Sequence, residues 1–297
     1  MHDDEIAETT GEIDVTIAAV AGVALDALHV AVTIAPRGGD VEEVGTLIAH
    51  LAHVEPVRWE ARASYDEWVV GLAVTSTGTP YAVTADGALR VGLGADGRRY
   101  PLPARRGLAG LWLAADDDVL VCGPGVLGRV RLGRGRVIID VTDDEGPGDA
   151  CAVAGRDGAR GAIAVGTHGA VWSYDGAEWI AHETAARETL QDVAWHVDGR
   201  AYVAGADGGL FAWDGTALTA IARADAPLSA VTSWRGDVYV VSGRAAIARL
   251  DGDRLTAIKA LPVSRLRAID DHLVVWGGSL VARHDGTGWW GGPLHLP

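Results

Sequence analysis

Residues 166–179 read GTHGAVWSYDGAEW, and residues 205–218 read GADGGLFAWDGTAL. The two stretches say nearly the same thing 39 residues apart: a glycine step, an apolar run, Asp-Gly, then a bulky apolar residue. Asp-Gly turns a chain where positive φ is needed, so each stretch reads as a hairpin between two short strands. Anchoring on the small residue that closes the strand before it gives Thr84, Gly123, Gly166, Gly205, Gly243 and Gly277, at intervals of 39, 43, 39, 38 and 34. A period near forty residues is that of one four-stranded propeller blade. Helical repeats of similar length would carry helix-period apolar stripes, whereas these segments alternate.

Four strands can be read within a unit. The first opens with Leu-x-x-Val or a relative: LAGL from Leu108, LQDV from Leu190, LSAV from Leu228 and LRAI from Leu266. The second is DVLVCG, AIAVG, AYVAG, DVYVVSG or HLVVWGG; the third runs through AVWSYDG, GLFAWDG, AIARLDG or LVARHDG. The fourth opens four positions after the turn Asp, in the pairs Asp96/Tyr100, Asp175/Trp179, Asp214/Leu218, Asp251/Leu255 and Asp285/Trp289. The unit 105–143 departs from this, with Gly133 and Val137 at those places. One such sheet cannot bury both faces alone; stacked radially in a closed ring it can, and closure protects the edges.

The predicted fold is therefore an all-β propeller of four-stranded antiparallel blades. Strands expected at 13–22, 28–35, 45–53 and 57–63 make the count seven; six blades with an N-terminal extension is the alternative. The blades are expected near 11–65, 66–104, 105–143, 144–184, 185–223, 224–261 and 262–297, after an acidic tail over 1–10.

Composition agrees. The 297 residues are 48% hydrophobic and 22% charged, a globular balance, and 40 glycines suit many tight turns. With one Phe and one Met against 11 Trp, the interior falls to Trp, Val, Leu and Ala. A formal net charge of −15 repels phosphate backbones, which argues against nucleic-acid and anionic-membrane partners. Two cysteines, Cys122 and Cys151, make no disulfide framework. The start MHDDEIAETT lacks the basic and apolar regions of a secretory signal, so the expected location is cytoplasmic. The apolar stretch 13–36 carries Asp14, Asp26 and His29 and reads as two strands rather than a membrane span.

These repeats resemble the bacterial β-propeller superfamily of WD40/YVTN/BNR-like proteins, over about 230 residues. The resemblance implies architecture rather than activity. The Gly-His and Trp-Asp marks of WD40 repeats are absent in register, since Trp213-Asp214 belongs to an Asp-Gly turn. Ser173, Asp175 and Trp179 approach the BNR Asp-box, but its glycine falls at Gly176, directly after the Asp.

Chemical motifs are sparse. The sequence holds no G-x-S-x-G, no H-E-x-x-H and no Walker Gly-Lys-Ser/Thr. GLGADG at 92–97 lies in a hairpin and carries no dinucleotide signal. His50 and His53 on one strand point to opposite sides, and the acidic runs 116–118 and 143–146 lack calcium-loop spacing, so no metal or cofactor is expected. The feature with functional content is basic. Segments joining one blade to the next hold Arg105, Arg106, Arg187, Arg223, Arg265 and Arg267. Gathered round a channel mouth on an acidic molecule, they would capture an acidic protein segment or a small anion; as ordinary loop arginines, some would pair with Glu183, Glu188 and Asp225. Trp112, Trp195 and Trp234 are expected to pack between blades with their indole N–H groups bonded, and Trp289 and Trp290 to close the last blade. The sequence thus favours a non-catalytic propeller that binds a protein partner on its channel-mouth face. Binding of a small anion or carbohydrate is the alternative, with glycoside hydrolase or lyase chemistry behind it.

Overall fold

The computed structural model describes residues 13–36, 44–53, 58–104, 106–133, 136–143, 148–156, 161–243 and 246–294. Blade 1 consists of β1 (Ile13–Ala21), β2 (His29–Pro36), β3 (Gly45–His53) and β4 (Arg58–Tyr65). Blade 2 follows with β5 (Val69–Val74), β6 (Pro80–Thr84), β7 (Ala88–Val91) and β8 (Arg98–Pro101). In blade 3 the strands are β9 (Gly110–Ala115), β10 (Asp118–Gly123), β11 (Val126–Gly133) and β12 (Arg136–Asp143). Blade 4 comprises β13 (Ala150–Ala154), β14 (Ala162–Gly166), β15 (Val171–Tyr174) and β16 (Trp179–His182). Then come β17 (Leu190–Trp195), β18 (Ala201–Gly205), β19 (Gly209–Trp213) and β20 (Leu218–Arg223) of blade 5. Blade 6 holds β21 (Leu228–Trp234), β22 (Asp237–Ser242), β23 (Ala246–Asp251) and β24 (Arg254–Ala260). Blade 7 ends the ring with β25 (Arg265–Ile269), β26 (His272–Gly277), β27 (Leu280–His284) and β28 (Trp289–Pro293). Each blade is a four-stranded antiparallel meander, and residues 13–65 make a complete one, so the ring has seven blades rather than six.

What holds the blades together is visible in the core. Seven clusters of buried apolar residues occur among the described residues, and each spans two neighbouring blades. The closing cluster joins Ile269, Val274, Trp276 and Leu294 to Val20, Val30 and Trp59 across the chain's two ends. One backbone bond, Ile17 N–H to the Gly278 carbonyl at 2.7 Å, reinforces that seam. Among the described residues no strand is exchanged between the first and last blades, and apolar burial joins them.

This sandwiching alters the pattern expected along the strands. β6, β14 and β18 are buried at every position, because a neighbouring blade covers each face. Alternation fails there. The outermost strands are mostly exposed, as in β24.

The Asp-Gly turns form as expected in blades 4, 5 and 7, where Gly176, Gly215 and Gly286 have φ of 104°, 104° and 96°. In each, one carboxylate oxygen accepts two backbone N–H groups: Ala177 and Glu178 at Asp175, Thr216 and Ala217 at Asp214, Thr287 and Gly288 at Asp285. Blade 2 differs. Gly97 has φ −68°, and a short 3-10 turn over Gly94–Asp96 reverses the chain instead.

Two tryptophan expectations divide. Trp112 and Trp195 pack against inter-blade clusters and Trp234 belongs to one, as anticipated. Yet the indole N–H groups of Trp195 and Trp234 have no hydrogen-bond partner among the described residues. Guanidinium stacking takes its place: Arg156 lies 4.8 Å from the Trp195 ring and Arg235 4.8 Å from that of Trp234. Trp289 stacks on His284 and packs beneath blade 6, whereas Trp290 is exposed on the outer edge. Both cysteines are free. Among the described residues no helix is long and apolar enough to cross a membrane.

Candidate binding face and central channel

A meander of four strands leaves each blade at the end where it entered. All connections between blades therefore share one face of the ring with the turns between second and third strands. Arg106 and Arg187 stand in such connections and Arg223 ends β20, so these three share that face. Arg105 lies outside the described residues, as do residues 1–10 and 144–146. Arg106 is committed to Asp149 by a fork of two bonds at 3.0 Å each. Arg187 touches only backbone, donating to the Thr184 carbonyl at 3.2 Å and the Ala186 carbonyl at 3.4 Å. Arg223 donates to the Asp207 carbonyl at 2.8 Å, and Glu188 stands 3.8 Å away.

Arg265 and Arg267 are placed differently from their expected position. Both lie within β25, the innermost strand of blade 7, and line the central channel rather than a connection on its rim. The reason is a matter of register. In blades 1, 2, 4, 5 and 6 the innermost strand carries a bulge that leaves Ala18, Val70, Cys151, Gln191 and Ser229 out of the ladder. β25 has none, and pairs without interruption from Arg265↔Trp276 to Ile269↔His272.

One ladder position on the innermost strand faces the following blade at close range. It is held by Ala19, Gly71, Gly110, Ala152, Asp192, Ala230 and Arg265, paired with Ala31, Val83, Cys122, Val165, Ala204, Val241 and Trp276. Crowding selects small residues there: a Cβ on Gly71 would lie 2.9 Å from the Leu111 side chain of the next blade. Asp192 and Arg265 are the two exceptions; Arg267, paired with Val274, holds the next position on the same face, where the other blades carry Ala21, Ala73, Trp112, Ala154, Ala194 and Thr232.

The channel they line is open, with a volume of about 460 Å³ and walls from every blade. Its walls are unequal. Blades 1–3 contribute apolar or small residues such as Val20, Val70, Leu72 and Leu111, while blades 4–7 contribute Cys151, Gln191, Asp192, Thr232, Arg265 and Arg267. Asp192 is fixed by its neighbours: Val231 N–H donates to Oδ2 and Val193 N–H to Oδ1, both at 2.9 Å. Burial raises its pKa, against the pull of Arg265, the Val231 N–H and Arg267. Thr232 repeats the inter-blade tie one blade on, its Oγ1 accepting Ala268 N–H at 3.2 Å.

Arg265 donates to the Ser229 carbonyl at 2.5 Å. The Arg267 side chain is exposed and lines the channel. Enclosure by the wall depresses its pKa, offset by the charge of Asp192. The two are not in contact: no hydrogen bond or ion pair within 4 Å engages Arg267 among the described residues. The Cys151 thiol is pushed up by burial and then by Asp149.

A second polar cluster escaped the sequence reading. His50 pairs with His29 across β2 and β3, their ring centroids 4.8 Å apart, and neither Nδ1 has a partner among the described residues. Among the described residues, no group of three or more His, Cys, Asp or Glu side chains is arranged to hold a metal ion.

No protein-family model and no curated protein matches the chain. Solved structures do. A streptogramin B lyase aligns with TM-score 0.71 at 12% identity, over 93% of this chain and 93% of that one. Virginiamycin B lyase from Staphylococcus aureus aligns with TM-score 0.66 at 13% identity, over 78% of this chain and 86% of that one. Sqt1 of Chaetomium thermophilum, solved bound to the N-terminus of the ribosomal protein L10, aligns with TM-score 0.66 at 14% identity, over 94% and 88%. The chain is a seven-bladed β-propeller, with an architecture shared by WD40 repeat proteins and by virginiamycin B lyase propellers.

Proposed function

We propose that this propeller is a non-catalytic interaction subunit that holds an acidic segment of a protein partner against its connection face. The carrying observation is the pair Arg187 and Arg223, exposed on that face of a molecule whose formal net charge is −15. Arg187 meets only carbonyl oxygens, and Arg223 has its one carboxylate neighbour at 3.8 Å. A guanidinium so placed keeps donors for a carboxylate from outside, in the bidentate geometry arginine favours. The blades bring a broad rigid surface needing no moving part. Sqt1, a propeller of similar fold, was solved with a segment of a protein partner bound, an arrangement of the kind proposed here.

Affinity purification of the tagged chain, followed by cross-linking and mass spectrometry, tests it. A stoichiometric partner is expected, cross-linked near residues 184–188 and 223–227. Arg187→Glu with Arg223→Glu should weaken its capture at least about tenfold. Unchanged capture by the double variant, or cross-links confined to the opposite face, would remove this face from consideration.

A further inference from the structure

We propose that the central channel is a binding site for a small organic monocarboxylate, held by Arg267 and Arg265 with its apolar body against Trp112 and Leu113 of blade 3. This does not rest on the protein-interaction reading, since the channel lies inside the ring and the partner surface on its face.

Three observations converge. The first is the break in the ring of small residues. Five blades carry Ala or Gly at the ladder position that Arg265 holds, and four carry Ala at the next one, which Arg267 holds; Arg267 is exposed to the channel and gains no direct protein partner among the described residues. The guanidinium presents five N–H donors in a planar fork toward the open channel, and none meets an acceptor among the described residues.

The second is charge. Arg265 and Arg267 against the carboxylate of Asp192 leave one formal positive charge at neutral pH, which a monoanion balances. A dianion would be repelled by Asp192. The backbone ties from Val231 and Val193 hold that carboxylate in place, so the ligand meets a fixed wall.

The third is shape. The channel's volume of about 460 Å³ falls within the range of small-molecule clefts. The half-buried Trp112 and Leu113 of blade 3 line the channel across the ring from the arginines of blade 7, so charged and apolar surfaces face each other across the opening. A carboxylate with a short hydrocarbon or aromatic body satisfies both at once. An inorganic anion would leave the apolar wall uncovered.

The experiment is calorimetric titration of the intact protein with straight-chain monocarboxylates from acetate to octanoate and with benzoate. The matched amides and sulfate serve as controls, each ligand being taken to about 5 mM. Binding should strengthen with chain length and then fall off when the channel is full, with no heat from amides or sulfate. Arg267→Ala should weaken the best carboxylate at least about tenfold, since a bidentate charged contact is lost. The substitution is built to fold, because four other blades carry Ala at the equivalent position (Ala21, Ala73, Ala154 and Ala194); circular dichroism checks this, and Arg267→Lys, which keeps the charge but loses the fork, should fall between the two. Arg187→Glu should bind the carboxylate like the parent. No carboxylate binding, equal binding of amide or sulfate, or full binding by folded Arg267→Ala each overturns the proposal. Partner capture by Arg267→Ala separates the two readings: it persists if they are independent, whichever of them fails.

Discussion

Lowering the pH from 7.5 to 5 should destabilise the ring, and the buried His29 contributes a part that can be isolated; His50 and His182, also lowered by burial, act in the same direction. The His29 imidazole is 8% exposed on β2 and faces His50 across the ladder. Burial, then the charges of His50 and Arg62, depress its pKa from 6.5 to about 4, against the Ala27 carbonyl, which favours the proton. The unfolded chain therefore takes up a proton near pH 6.5 that the folded ring refuses until about pH 4. The unfolded state binds more protons throughout that window, so stability falls as pH falls. Linkage puts the loss at about 2 kcal/mol at pH 5, approaching about 3 kcal/mol once the pH is below the folded value. Comparing parent with His29→Leu cancels the carboxylates common to both, including Asp192, whose raised pKa works the other way. Asp198, Asp214 and Asp285 sit near 2 when folded, and their contribution is lost only as pH drops below the ordinary 3.8.

The assay is urea unfolding at fixed ionic strength, at pH 7.5, 6 and 5, of the parent and His29→Leu, which keeps apolar bulk and removes the proton site. The stability difference between the two should move by about 2 kcal/mol in favour of the variant across that range, read from midpoints and slopes. Parallel pH profiles would refute the reasoning, since His29 would then titrate alike in folded and unfolded chains.

Two further outcomes follow from packing and backbone. Gly78 and Gly107 share φ of 86° and 87°, but a Cβ at Gly78 meets nothing within 4 Å while one at Gly107 falls 2.0 Å from the Ala85 carbonyl oxygen. Gly78→Ala should cost about 1 kcal/mol from φ alone, and Gly107→Ala distinctly more in the same thermal melt; equal losses would show that the close approach is immaterial. Trp172, 1% exposed between blades 3 and 4, should lose about 3–5 kcal/mol on truncation to Ala. Trp290→Ala, 42% exposed on the last strand, should stay within about 0.5 kcal/mol of the parent in urea titrations.

Much of the architecture was legible in short local patterns. The forty-residue period, the Asp-Gly turns at Asp175, Asp214 and Asp285 and the four strands of 13–65 depend on residues near one another in the chain. Local backbone preference and turn chemistry act at that range. The lapses were local too: Asp96-Gly97 looks like its counterparts, but the neighbouring Gly92 and Gly94 supply the positive φ, at 78° and 64°. Asp192 could have been noticed, because LQDV sets a carboxylate where LSAV has Ala230 and LAGL has Gly110.

Arg267 could not. In the aligned motif LRAI it stands beside Gln191 and Ser229, residues that bulge out of the ladder. Only the unbroken register of β25 carries it into the ladder opposite Val274, on the same face as the Asp192 position that Arg265 holds. His29 and His50 lie 21 residues apart in the chain and become neighbours only through the β2–β3 pairing. The amino-acid sequence by itself determined the repeating unit, because turns and strand periodicity are short-range properties. Tertiary structure decided which side chains meet in the channel, because that depends on one-residue register choices and on closure of the ring, where each strand's facing is set by neighbours distant in sequence.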